Sequence, residues 1–458
     1  MTGDLVVRGG VLLTTEGRVR ADLVIADGRI SSWRPSRPDD ALTDARTIDA
    51  TDLVVAPGLI DLQCNGAGGI DLTAEPERLW EVAAILPRWG ATAWLPTIVS
   101  SPPDIRQRAL ATIGNPPTES PQDGGGAGSV GSAGSASASP QEGGRLRGHG
   151  GPIPATPLGL HFEGPFLALE RRGAHGPAHL APPDLALIDG WSAKSGVAMA
   201  TVAPELPGAL DVIAALVDQD VVVSLGHSSA TAAQASAAVD LGARAVTHVF
   251  SAMTPLHHRE PGLIGVALTD ARLTVGMIVD GVHVHPSVVD LAARALGTRL
   301  ALVTDAVAAL GAPASGARSG TSPPAVGTDV AERAAIHGRS GAPGRRVRLG
   351  DIEAVADDHA VRLADGTLAG SVLSLDRAVA NLMAFAGLGL DQAVQAATET
   401  PARLLALTGD RGHITPGAAG DVVLLDTTGD RLEVVATVIH GEVAYDRGVT
   451  APAPGDQR

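Results

Sequence analysis

Between residues 54 and 305 the chain repeats one pattern. A short, almost unbroken apolar run is followed by a polar turn and then, in several repeats, by an Ala-rich or amphipathic segment. The runs fall at 54–62, 91–98, 158–163, 198–202, 221–227, 245–248, 273–279 and 300–305. Runs without polar alternation mark strands buried on both faces, as in a parallel sheet. Segments 210–217, 230–241 and 287–295 have the length and spacing of crossover helices. Eight strands with helical crossovers predict a (β/α)8 barrel of the TIM type in preference to a doubly wound sheet. Hydrophobic residues make up 45% of the chain but aromatics only 2%. Ala, Val, Leu and Gly must therefore fill the core, which suits the branched aliphatic layers of a barrel.

The two ends read differently. Short alternating strands occupy residues 1–56, with a hairpin signal at Asp27-Gly28, and the same texture returns in 411–448. Together they predict a small composite β-sandwich domain beside a barrel spanning 57–410. Two stretches, 117–156 and 311–346, are rich in Gly, Ser, Ala and Pro. Neither has enough apolar surface to offset its chain entropy, so both are expected to be disordered insertions at barrel loops.

The formal net charge of -16 argues against nucleic acid or an anionic membrane as a partner. An anionic small substrate would require a local cluster of Arg and His. Cys64 is the only cysteine, so neither an intrachain disulfide nor a cysteine-based zinc site can form. The first residues lack the basic and apolar regions of a signal peptide, and no run of eighteen apolar residues occurs. A cytoplasmic protein is expected.

In a barrel the C-terminal strand ends converge on one face. Four runs end in chemically active side chains: Glu163, His227, His248 and Asp305. One carboxylate and two imidazoles suit a divalent metal with a position left open for water. Such a metal lowers the pKa of water from about 15.7 to about 7. An unliganded Asp beside it can take the proton and pass it on. Each residue alone has a plainer reading: a turn cap for Glu163, a helix N-cap for Asp305, hydrogen-bonded loop residues for the histidines. The first run ends in Gln63-Cys64-Asn65, where many binuclear amidohydrolases carry a His-x-His pair, and the only lysine, Lys194, lies in a turn. A lysine-bridged binuclear centre is excluded, and a single-metal site is the economical expectation.

The runs APGLIDLQCNGAGGID, LGLHFEGPFL, RRGAHGP, TVAPE, VSLGHSSAT, THVFSAMTPLHHREPGLIG, VDGVHVHP, LVTDA and GTLAGS resemble, in order, those of the N-acetylglucosamine-6-phosphate deacetylase family of the amidohydrolase superfamily. The likeness covers most of 53–410. It implies hydrolysis of the acetamide of N-acetylglucosamine 6-phosphate to glucosamine 6-phosphate and acetate. It further implies one divalent ion per subunit, zinc foremost with iron or another metal open, held by Glu163, His227 and His248. Asp305 would act as general base and then acid, and His175 would polarise the acetyl carbonyl. Ala174, Ser251, Ala252, Asp280 and the closing segment Leu368-Ala369-Gly370 would bind substrate. Arg259 and His283 would contact phosphate from the neighbouring subunit of a homodimer. Ser251 stands where the family carries Asn, which leaves a related N-acyl amino sugar open as substrate. An amidase for another amide, or a non-catalytic barrel binding a sugar or protein, are the competing expectations.

Overall fold

The computed structural model describes residues 4–35, 46–116, 152–312, 344–428 and 432–448. The apolar runs form a parallel barrel. Its strands are Leu59–Cys64, Ala91–Val99, a third in two pieces (Thr156–Pro157 and Leu160–Glu163), then Val197–Val202, Val222–Leu225, Ala245–Val246, Thr274–Met277 and Leu300–Leu302. Each pairs in parallel with the next. Side chains alternate across each strand. In the third, His161 and Glu163 share one side, while Phe162 packs outward on Trp191 with ring centroids 4.6 Å apart. Helices cover the outside. One of them, Ala232–Asp240, starts with a capping box between Thr231 and Gln234.

The ring closes beyond the first and eighth strands. Asp305 N donates to Gln63 O at 2.9 Å and Asn65 N to Ala306 O at 2.7 Å. Asp61 reinforces the seam: its carboxylate accepts from Gln63 N at 3.1 Å, Thr304 N at 3.2 Å and Thr304 Oγ1 at 2.5 Å. Burial raises the pKa of this carboxyl to about 7, against the hydrogen bonds that favour its charged form.

One apolar run divides in two. Val54–Pro57 joins the small sheet and only Leu59–Cys64 enters the barrel. The chain changes sheet at Gly58, where a Cβ would lie 2.1 Å from Thr92 Oγ1, so no side chain fits at the crossing. The strands of both chain ends join in one eight-stranded sheet. Val422–Asp426 lies antiparallel to Val54–Pro57, which continues into Leu5–Thr14 and its hairpin partners. The sheet has its own core, including Leu5, Leu12, Leu23, Ile48 and Leu424.

The expected insertions extend less far than their composition suggested. Residues 152–156 are part of the scaffold: Ala155 is buried, its N–H donates to Ala83 O at 2.8 Å, and Thr156 starts a strand. Arg345 and Arg346 open a strand, Arg345–Leu349, which forms an antiparallel sheet with Ile352–Ala356 and Val361–Arg362. The middle of each stretch, 117–151 and 313–343, lies outside the described residues. The three-stranded sheet packs Leu349, Ala354, Ala356 and Val361 on Val99, Ala174, Val307 and Ala369. Asp71 accepts from Gly350 N at 2.6 Å and anchors its first turn. Among the described residues no helix is long and apolar enough to cross a membrane.

Asp61→Ala should orphan the buried N–H groups of Gln63 and Thr304 at the barrel seam and leave the Thr304 hydroxyl only Gln63 O as acceptor, at a cost of about 2–4 kcal/mol. Urea unfolding should show it as a lower midpoint with unchanged slope. A loss below about 0.5 kcal/mol would mean that other contacts close the ring.

Candidate functional site

Glu163 ends the third strand, while His227, His248 and Asp305 follow the fifth, sixth and eighth strands by two or three residues. The latter three have positive φ, at 48°, 22° and 49°. Left-handed backbone at non-glycine residues costs on the order of 1 kcal/mol each and persists only where the surroundings hold it. Backbone bonds from neighbouring strands and loops do so: Ala168 N donates to His227 O, Val249 N to Gly276 O, Asp305 N to Gln63 O and Ser371 N to Asp305 O. The turn of the chain aims each side chain over the barrel mouth.

All four are buried and meet around the carboxylate of Glu163. Its Oε1 lies 3.2 Å from His227 Nε2 and 2.9 Å from His248 Nε2, and these two nitrogens are 3.1 Å apart. Gln63 Nε2 also reaches Oε1, at 2.8 Å. His175 Nε2 is 3.5 Å from the other oxygen, Oε2. Burial opposes charge on Glu163, but the surrounding imidazoles hold its pKa well below the usual carboxylate range. Burial likewise opposes charge on His248, and the Glu163 carboxylate outweighs it and raises that pKa. Burial lowers that of His175. Asp305 is raised by burial and then by the nearby Glu163.

Hydrogen bonds on the far side of each ring separate the roles of the histidines. His227 Nδ1 lies 2.8 Å from Arg171 O, a carbonyl that can only accept. The proton of neutral His227 is therefore on Nδ1, and its Nε2 lone pair faces Glu163 and His248. His175 is the reverse. Its Nδ1 accepts from Ser100 N at 3.2 Å, which puts the proton of the neutral ring on Nε2. His175 thus offers the cleft a donor.

Two trios could hold a cation. Ligand atoms of Glu163, His175 and His227 all lie within 4.8 Å of one another. Those of Glu163, His227 and His248 lie within 3.2 Å. The tighter triangle approaches the edge of about 3.3 Å of a tetrahedron with 2.0–2.1 Å bonds. It also crowds a lone pair against a carboxylate oxygen, an arrangement that a bound cation or a shared proton relieves. The donor set fits a divalent ion, and the tautomer of His175 speaks against the wider trio.

Asp305 is held by two amides. Asn65 Nδ2 donates to its Oδ1 at 2.7 Å and Gln63 Nε2 at 3.1 Å. Gln63 is oriented in turn by the hydroxyl of Thr247, which donates to its Oε1. The residues in place of a His-x-His pair thus tie the acid–base candidate to the metal-ligand candidate. Asn65 Oδ1 is buried without a partner among the described residues and borders the cleft.

The cleft above has room of about 630 Å³, within the usual span for a small-molecule site. Ala174, His175, Ser251, Ala252, His283, Leu368 and Gly370 line it with Glu163 and Asp305. At Gly370 a Cβ would stand 2.4 Å from Val307 Cγ1, so the close approach requires glycine. Ala369 is fully buried in the core beneath and does not border the cleft. Asp280 acts behind the wall: its Oδ2 is 2.6 Å from His283 Nδ1, turning His283 Nε2 outward. His283 therefore lines its own chain's cleft, and the expectation that it reaches a neighbour's site is corrected. Arg259 is exposed on its loop beside His258, and is not part of this wall.

Some of the lining was not foreseen. Leu349, Ile352, Arg362 and Thr367 come from the three-stranded sheet and the turn after it, and Arg171 and Arg172 precede His175. The alternation in 345–349 and 352–356 about Gly350-Asp351 was the available signal for the sheet.

His227→Asn and His248→Asn should each lower bound zinc by about tenfold or more, and His175→Asn should retain near wild-type stoichiometry. Metal analysis after dialysis is the check. Retention by His248→Asn together with loss in His175→Asn would favour the wider trio.

The profile of the amidohydrolase family matches residues 152–444. The chain is 34% identical over 460 residues to the human N-acetylglucosamine-6-phosphate deacetylase, covering 96% of this chain and 94% of the relative. It is 33% identical over 443 residues to an N-acetylgalactosamine-6-phosphate deacetylase of Escherichia coli O157:H7, covering 96% and 99%. A Mycobacterium smegmatis N-acetyl-D-glucosamine-6-phosphate deacetylase variant, solved in complex with N-acetyl-D-glucosamine-6-phosphate, superposes with a TM-score of 0.73 at 28% identity, covering 96% of this chain and 99% of that one. With near full-length matches on a shared barrel, the chain belongs to the amidohydrolase family, within its N-acetylglucosamine-6-phosphate deacetylase group.

Proposed function

We propose that the protein hydrolyses the acetamide of N-acetylglucosamine 6-phosphate, releasing acetate and glucosamine 6-phosphate. The carrying observation is the opposed setting of two groups around one carboxylate. Asp305 is fixed as a proton acceptor by Asn65 and Gln63, and His175 is fixed as a donor by Ser100. Glu163, His227 and His248 would hold one divalent ion, zinc by preference. When bound, the ion supplies Lewis acidity and lowers the pKa of water.

The residues divide the remaining work. The Nε2–H of His175 donates to the acetyl oxygen as negative charge grows there. Asp305 takes a proton from the attacking water and returns it to the leaving amine as the C–N bond breaks. Its raised pKa brings it nearer to a group that can do both. Asn65 Oδ1 offers an acceptor to the reacting water. His283, oriented by Asp280, faces the sugar with Ser251 and Ala252, and Leu368 and Gly370 border the same space.

Arg259, exposed and outside its own cleft wall, suits a homodimer in which it reaches the neighbour's phosphate. The acidic chain and its single buried cysteine suit a cytoplasmic enzyme.

A second reading is the galactosamine epimer. It is favoured by the similar likeness to the Escherichia coli relative, 33% identical against 34% for the human one.

The test is amine release by the zinc-loaded protein from both N-acetylhexosamine 6-phosphates and from N-acetylglucosamine. Metal-dependent turnover highest on N-acetylglucosamine 6-phosphate is expected, and Asp305→Asn should lower kcat by about 10³-fold with zinc retained. Faster turnover of the galactosamine epimer would move the substrate. Near wild-type activity in Asp305→Asn would remove that residue from the chemistry.

A further inference from the structure

We infer that Arg171 supplies, from within the same chain, the charge that holds the anionic end of the substrate. The inference rests on the deacetylase reading and adds a phosphate contact that does not depend on a partner subunit.

Arg171 is half-buried and lines the cleft with Ser251 and Ala252. Among the described residues its guanidinium is held by hydroxyls alone: Nε donates to Ser229 Oγ at 3.0 Å and Nη2 to Thr254 Oγ1 at 3.3 Å. Among the described residues it forms no ion pair, whereas arginines such as Arg18, Arg46, Arg108, Arg272 and Arg447 sit on carboxylates. In a chain of net charge -16, an arginine left without a carboxylate in a cleft is poised for an external anion. Two neutral acceptors orient it without cancelling its charge. Nη1 and one hydrogen of Nη2 stay uncommitted, which suits the paired geometry of a phosphate.

The nearby acids do not compete. Glu205 spends its two oxygens on Ser229 N and Ser228 Oγ, so it fixes the turn that presents Ser229. Glu170 also borders the cleft but is exposed, and the bonds of Arg171 go to Ser229 and Thr254 instead. The other arginines of the wall are differently placed. Arg172 donates to Leu169 O and acts on Asp365, and Arg362 donates to Gly366 O.

The hydroxyls locate the charge at the Ser251 end. Ser228 N donates to Ala252 O at 3.1 Å and Thr254 N to Ser228 O at 3.3 Å, so the 228–229 turn and the 251–254 turn form one unit under the guanidinium. At its other end the same residue accepts the proton of His227 through its carbonyl, at 2.8 Å. One residue thus sets the distance between the anion contact and the reacting centre. An arginine here also compensates for the shorter Ser251, by bringing a charge where its neighbour offers a smaller hydrogen-bonding group.

Arg171→Gln removes the charge and leaves the backbone carbonyl on His227, so bound zinc should not change. The KM for N-acetylglucosamine 6-phosphate should rise about tenfold or more, and the kcat/KM ratio of phosphorylated to unphosphorylated sugar should fall by a similar factor. Arg171→Lys should recover part of that ratio. A merely structural role would depress both sugars in parallel and leave the ratio unmoved, and that result overturns the inference. Glucose 6-phosphate, which carries no acetamide, separates this from the reading of the substrate. If the enzyme does not turn over amino-sugar phosphates, weaker binding of glucose 6-phosphate by Arg171→Gln in calorimetry would still support the anion contact. Equal binding by the two proteins, or none by either, would overturn it.

Discussion

A single buried carboxylate organises the active face. Glu163 is charged in a place where charge is costly, because imidazoles from three other loops and the Gln63 amide converge on it. An unpaired buried charge is far more expensive than an ordinary lost hydrogen bond, so these groups cannot drift without penalty. The requirement extends outward. Gln63 ties Glu163 to Asp305, Arg171 and Ser100 fix opposite tautomers on His227 and His175, and left-handed backbone at His227, His248 and Asp305 is held by backbone bonds from neighbouring strands and loops.

The barrel makes that convergence cheap. Third, fifth, sixth and eighth strands run parallel, so residues far apart in sequence reach one rim without long loops. The seam between the first and eighth strands does double duty. Asp61 and Thr304 close the ring just below the level where Gln63 and Asn65 grip Asp305. Closure and the acid–base geometry therefore share one set of buried hydrogen bonds, and the three-stranded sheet over Val99 and Val307 narrows the mouth above them.

Much of this can be read from the chain. Glu163, His227, His248 and Asp305 each end an apolar run, and a parallel barrel brings such ends together. What could not be read depends on register and orientation. Gln63 and Asn65 stand out only as replacements for a histidine pair, and their hold on Asp305 appears once the first and eighth strands are aligned. The division between His175 and the other histidines lies in Ser100 and Arg171 O, partners that no spacing announces. The switch at Gly58 is hidden inside one apolar run, because a strand buried in either sheet has the same composition. The 345–362 sheet adjoins a Gly- and Pro-rich stretch, and its arginines mask the alternation. The DGVH run marks His283 as a contact, but only the fold shows that Asp280 turns it into its own cleft.

The most direct test of the Glu163-centred arrangement is the position of the ion itself. Anomalous diffraction from zinc-loaded crystals should give one peak per chain, bonded to Glu163, His227 and His248, with His175 outside bonding distance and still on Ser100. A peak bonded to His175 in place of His248, or two peaks bridged by Glu163, would contradict the assignment of a single ion with His175 as proton donor.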